Sequence, residues 1–171
     1  MKTSKTKILP GLVILAASFS LMLSSCKKDE PDIRDEVIGQ YGYTLKIYAE
    51  DGNDLVYIGD QGDNYDISGT MRVVKNSGDL DLLDFYDGNV LMFHGSNVHD
   101  AGNAIVFNVP SQDAWIGPTQ VFIDGYTYWN VNDVTYDGAF LYSDNSLEIA
   151  FTARIMNAET GLVMILTAFP K

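Results

Sequence analysis

From Val37 onward, apolar and polar side chains alternate along the chain. Val37, Gly39, Tyr41, Tyr43, Leu45 and Ile47 fall on one side of an extended backbone, and Gln40, Thr44 and Lys46 on the other. That period of two is the mark of a strand with one buried face. A later run repeats it, with Leu147, Ile149, Phe151, Ala153 and Ile155 opposite Ser146, Glu148, Ala150, Thr152 and Arg154. Shorter strand-like runs cover 67–74, 80–86, 90–94, 104–109, 120–123, 126–136, 139–142 and 162–169. Beyond the N-terminal leader, apolar spacing of helical period is everywhere interrupted by Asp or Gly, so little or no helix is expected.

The breaks between runs agree with hairpins. Asp-Gly stands at 51–52, 87–88, 124–125 and 137–138, and this dipeptide readily takes the positive φ angles of tight turns. Short strands at hairpin spacing predict an all-β fold, an antiparallel meander closed into a β-barrel, with a β-sandwich as the alternative.

The first residues have a different pattern. Lys2, Lys5 and Lys7 precede an apolar run from Ile8 to Leu23, broken by Pro10 and Gly11. The run is shorter than the roughly 20 residues a spanning helix needs, and it reads as a signal peptide over residues 1–25. Its exit, Leu23-Ser24-Ser25-Cys26, resembles the bacterial lipobox, which implies cleavage before Cys26 and acyl chains on its sulfur. The alternative is an ordinary secretory signal with an incidental cysteine. Residues 26–35 then form a polar tether and 36–171 a single domain. The run Lys27-Lys28-Asp29-Glu30 resembles the export signal of Bacteroidetes surface lipoproteins, implying display on the outer face of the outer membrane, with the periplasmic face as the alternative.

Charge narrows the function. The formal charge is −12, and loss of residues 1–25 removes three lysines and no acid, taking it to −15. A domain this acidic lacks the clustered cations of a nucleic-acid surface and stands off anionic membranes, so membrane contact is expected through acyl chains on Cys26 alone. With one cysteine there is no internal disulfide and no paired-cysteine zinc site.

The lipobox with its Lys-Asp-Glu run, Val37-Ile38-Gly39-Gln40-Tyr41, Phe107-Asn108-Val109-Pro110-Ser111-Gln112 and the late Tyr136-Asp137-Gly138 together resemble the lipocalin-like, calycin-type lipoproteins of Bacteroidetes. The resemblance implies a β-barrel and carries over no catalytic residue. Where lipocalins open with Gly-X-Trp this chain has Gly39-Gln40-Tyr41, and the counterparts available for their late arginine are Arg154 and Lys171.

Few residues offer chemistry. His94 and His99 are five apart, a spacing that sends strand side chains to opposite faces, so two unrelated polar residues are expected in place of a metal site. Asp51, Asp54, Asp60, Asp63 and Asp66, with Asn53 and Asn64, are material for calcium, but they lack EF-hand spacing and read as solvated acids. No nucleophile elbow, His-Glu-X-X-His or phosphate-binding loop is present. Aromatics concentrate at Trp115, Phe122, Tyr126, Tyr128, Trp129 and Tyr136. The expectation is therefore a non-enzymatic binding module without metal or cofactor. It takes a small apolar molecule or a glycan at the barrel mouth, with Trp115, Tyr126, Tyr128 and Trp129 as ligand-binding candidates. The alternative is an accessory lipoprotein whose barrel is filled by side chains and docks a protein partner.

Overall fold

The computed structural model describes residues 31–52, 54–59, 66–131, 133–154 and 162–171. Cys26 and the whole leader lie outside the described residues, as do Asn53, Asp60, Asp63, Asn64 and Ile155. From Asp32 the chain forms one compact unit. After a single 3₁₀ turn at Ile33–Glu36 come β1 (Gly39–Asp51), β2 (Asp54–Tyr57), β3 (Ile67–Lys75), β4 (Leu83–Asp87), β5 (Val90–Asp100), β6 (Ala104–Asn108) and β7 (Gln112–Ile116). They are followed by β8 (Thr119–Gly125), β9 (Trp129–Val131), β10 (Val134–Tyr136), β11 (Gly138–Leu141), β12 (Ser146–Arg154) and β13 (Leu162–Pro170).

Several of these strands are halves of one stave. β2 and β3 lie in succession along β1, β8 and β11 in succession along β12, and β6 and β7 in succession along β5. Joined in this way, eight staves run β1, β2/β3, β4, β5, β6/β7, β8/β11, β12 and β13. Each is antiparallel to its neighbour in the chain, and β13 pairs back onto β1 from Tyr41 opposite Pro170 to Tyr48 opposite Val163. The hydrogen-bonded path returns to its start, so the fold is a closed eight-stranded antiparallel barrel and not a sandwich, as the lipocalin-like resemblance implies.

The alternation read from the sequence places the core. Tyr41, Tyr43 and Leu45 of β1, Met71 and Val73 of β3, Phe85, Phe93, Phe107, Ile149, Phe151 and Leu166 all point inward and are fully or almost fully buried. Phe93 stacks on Phe85 at 4.7 Å between ring centroids and meets Phe151 at 5.7 Å. Phe93 and Phe151 sit on staves that are not neighbours, so their contact crosses the interior, and the barrel is filled with side chains at this level. Eight strands enclose a space just wide enough for such filling. Each buried Phe contributes about 1.5–3 kcal/mol. The phenol tips that enter the core are satisfied: Tyr41 donates to the Val37 carbonyl at 2.6 Å and Tyr43 to Asp87 at 3.2 Å. Burial pushes both phenols up to about 12.

The 3₁₀ turn caps one end. Arg34, 4% exposed, donates through Nε and Nη2 to the Asp32 carboxylate at 2.9 and 2.7 Å. Its Nη1 reaches the Asp79 and Leu82 carbonyls of the β3–β4 connection at 3.2 and 3.1 Å. Val37 caps this turn and packs on the core without belonging to β1.

Some local expectations change. Gly52 and Gly88 have φ of +67° and +57°, as hairpin turns require, but Gly125 and Gly138 lie in strands. A Cβ on Gly138 would run into the Phe107 ring, and one on Gly125 would stand 2.6 Å from the Val109 carbonyl oxygen and run into the Asp137 carboxylate. There glycine serves close approach. The run expected over 126–136 is not one strand: among the described residues β9 and β10 pair only with each other, Val134 opposite Val131, in a hairpin outside the barrel. β2 and β7 were not expected from the pattern.

Candidate functional site

The site begins where the β8/β11 stave is broken. After Gly125 the chain leaves the barrel wall, and it returns at Asp137. The Asp137 N–H donates to the Phe107 carbonyl at 3.2 Å, and its own carbonyl accepts from Ala150 at 2.7 Å. Its carboxylate accepts the Val109 N–H at 2.9 Å, a donor the break would otherwise leave without a ladder partner. Burial pushes the Asp137 carboxyl up, opposed by that hydrogen bond. The described residues of this excursion, 126–131 and 133–136, are thus fixed at both ends and fold over the outside of the barrel.

The excursion carries tyrosines onto the outer face of β1, β12 and β13. Ala150, Val163 and Ile165 form a buried apolar floor there, and Tyr48, Leu55 and Tyr126 pack against it. Tyr126 is held by its N–H on the Ala150 carbonyl at 3.1 Å, and its phenol faces the Glu50 carboxylate. Tyr48 and Tyr57 meet at 5.6 Å between ring centroids, and the Tyr57 hydroxyl donates to Asp66. Tyr128, 45% exposed, lies within electrostatic reach of Glu148 and Tyr48. Burial, and then nearby negative charge, raises the phenols of Tyr48, Tyr126 and Tyr128, so all three remain protonated donors near neutral pH. Glu148 is itself raised, mainly by burial and then by the Asp144 charge. The result is a shallow apolar floor rimmed by four tyrosines, with the carboxylates of Glu50, Asp66 and Glu148 at its edge.

Only part of the set singled out from sequence meets here. Tyr126 and Tyr128 join this face. Trp129 touches Tyr128 edge-on at 5.8 Å, but it packs the other way, against Ala104, Val106, Tyr136 and Ala139. Its Nε1 is buried with no hydrogen-bond partner among the described residues. Trp115 is on the outer side of β7, opposite Gln120 and 41% exposed. That is about 20 Å along the stave from Tyr126 at strand rise. Tyr48, Tyr57, Glu50 and Glu148 were not singled out. Tyr48 does continue the outward row of Thr44 and Lys46, and that alternation was the available signal.

The histidines take separate partners. His94 Nδ1 is 2.7 Å from Asp84, whose oxygens also accept Asn76 Nδ2 at 3.1 and 3.2 Å. His99 Nε2 is 2.7 Å from the Tyr136 hydroxyl. Among the described residues no group of three His, Cys, Asp or Glu could hold a metal ion. No protein-family model, curated protein or solved structure matches the chain.

Proposed function

We propose that this protein is a lipocalin-like lipoprotein, anchored through Cys26 on the outer face of the outer membrane, that binds a glycan on the outside of its barrel. The observation that carries this reading is the convergence of Tyr48, Tyr57, Tyr126 and Tyr128 over an apolar floor with Glu50 and Glu148 beside them. Sugar rings offer C–H faces to aromatic rings and hydroxyls to carboxylates, and rigid tyrosines supply contact at small entropic cost. A filled interior favours an external site over a cup. The lipobox and polar tether support the anchor, since several acyl chains together hold a domain at a membrane that its acidic surface does not attract.

A glycan array probed with purified protein tests the site. Saturable binding to at least one glycan is expected, weakened about tenfold or more by Tyr128→Ala or Tyr126→Ala. No binding across the array overturns it. Mass spectrometry of the mature N-terminus should find acylated Cys26. A second reading, docking of a protein partner, is favoured by the same filled core and by the half-exposed Trp115 and Phe122 on the outer side of the β7–β8 hairpin. Crosslinking on cells that captures one constant neighbour through that hairpin would support it.

A further inference from the structure

Acids outnumber basic residues 23 to 11 in this chain, so a basic side chain without a carboxylate partner is notable. Six basic residues are described. Arg34 pairs with Asp32, Lys75 with Asp32 and Asp35, and Arg154 with Asp124. Among the described residues the other three, Lys46, Arg72 and Lys171, make no ion pair, and all three lie on the outer side of adjoining staves. Register places Gln40 opposite Arg72, Gly42 opposite Thr70 and Thr44 opposite Ser68. Lys171 follows β13, its N–H bonded to the Gln40 carbonyl at 3.0 Å. Its stem passes over Gly42, with Cε 3.4 Å from where a Cβ would be, and its Nζ reaches Thr70 Oγ1 at 2.5 Å.

Neutral groups hold these cations. The Arg72 guanidinium lies 4.9 Å from the Tyr86 ring centroid, and Lys46 Nζ lies 5.3 Å from that of Tyr57. Ring contacts orient a cation without neutralising it, so each remains available to an outside anion. Two open cavities, of about 400 and 240 Å³, flank Arg72 and Gln40; Lys75 lines the first, and Thr70 and Asp87 the second. Asp87 shares the second cavity with Arg72, and its carboxylate accepts the Tyr43 hydroxyl. The outward row of β1 then runs Gln40, Gly42, Thr44, Lys46, Tyr48, about 27 Å at strand rise. It passes directly from the cations into the tyrosine face.

We propose that this row is an anion track and that the ligand is an acidic glycan. Its carboxylate or sulfate groups meet Arg72 and Lys171 while rings several units farther along the chain lie on Tyr48, Tyr126 and Tyr128. The inference rests on the glycan reading of the tyrosine face and adds the charge of the ligand. Arg72 offers the planar fork that suits a carboxylate or sulfate. The acidic remainder of the surface repels a polyanion, which confines it to the row. A nucleic acid shares the charge but fits less well, because its esterified sugars offer few of the hydroxyls that Glu50 and Glu148 would accept at the tyrosine end.

The test compares oligogalacturonate with its methyl ester, which keeps the rings and loses the charge, using the full purified protein in isothermal titration. The acid form is expected to bind at least tenfold more tightly, with affinity falling as salt rises. Arg72→Gln with Lys171→Gln should cut the preference severalfold while leaving ester binding unchanged, and Tyr128→Ala should weaken both forms. Equal binding of acid and ester, both weakened by Tyr128→Ala, overturns the track and leaves the tyrosine face standing. Acid binding that needs Arg72 and Lys171 but ignores Tyr126→Ala and Tyr128→Ala supports the track and removes the tyrosine reading. Binding of neither form, or equal binding of single-stranded DNA, overturns the acidic-glycan assignment.

Discussion

Asp137 shows how much one carboxylate can decide. It supplies the acceptor for Val109 N–H at the break in the β8/β11 stave while half-buried itself. Asp137→Ala leaves that donor unpaired and should cost about 1–3 kcal/mol, read as a lowered denaturation midpoint. Asp137→Asn keeps an acceptor and removes the buried charge, so it should cost less. The sign of the pH effect follows from the raised carboxyl. The folded protein holds that proton more tightly than the unfolded chain does, so this group's contribution to stability falls as pH rises from the ordinary aspartate value, about 4, through its raised folded value. The stability of Asp137→Asn relative to wild type should therefore improve from pH 4 to pH 7; a constant difference would refute the account. Little of this was legible. Asp137-Gly138 reads as a turn in isolation, and only the Phe107 ring lying where a Cβ on Gly138 would sit reveals why glycine is needed.

Among the elements, the long strands with a clean period of two were the ones the sequence made plain. β1, β3, β12 and β13 each bury one apolar row against the same core, so pattern and packing agree. β7 was hidden because only Ala114 and Ile116 of its five residues turn inward and are buried. It is seated by a side chain: Gln112 accepts the His94 N–H at 2.8 Å and donates to the His94 carbonyl at 2.9 Å, reproducing a strand bridge next to Pro110, which has no N–H to give. Gln112→Ala should open this joint, with faster hydrogen exchange at the His94 amide and a loss of about 1–2 kcal/mol. Gln112→Glu should recover less than half of that loss, since it keeps the acceptor but cannot donate. The β9–β10 hairpin escaped for another reason. Its apolar residues Trp129 and Val131 pack against the outside of β6 and β11, a surface that exists only once the barrel has closed. The tyrosine face is assembled from β1, β2 and the excursion after β8, and no local spacing announces it.

For the whole molecule, alternation and hairpin spacing were enough to indicate a barrel, but not whether it was hollow. That depended on Phe93 and Phe151 meeting across the interior. Phe151→Ala should cost about 3–5 kcal/mol and leave an apolar void. A void of that kind stays dry and takes small aromatic molecules, so the variant, unlike the native protein, should be stabilised by benzene in a thermal melt. Equal response of both proteins would mean that the native core already holds room.

The joint between β1 and β13 also sets an order of events. Every other lateral pairing in the ring spans a much shorter stretch of chain, the longest from Ala104 to Leu141. Tyr41 opposite Pro170 alone spans nearly the full domain, and closing that loop carries the largest entropic cost of any pairing. Until the last nine-residue strand arrives, β1 keeps an unpaired edge along Tyr41 to Tyr48, a template for the wrong partner. Folding therefore finishes at the seam, and a chain truncated before Leu162 would offer that edge to its neighbours.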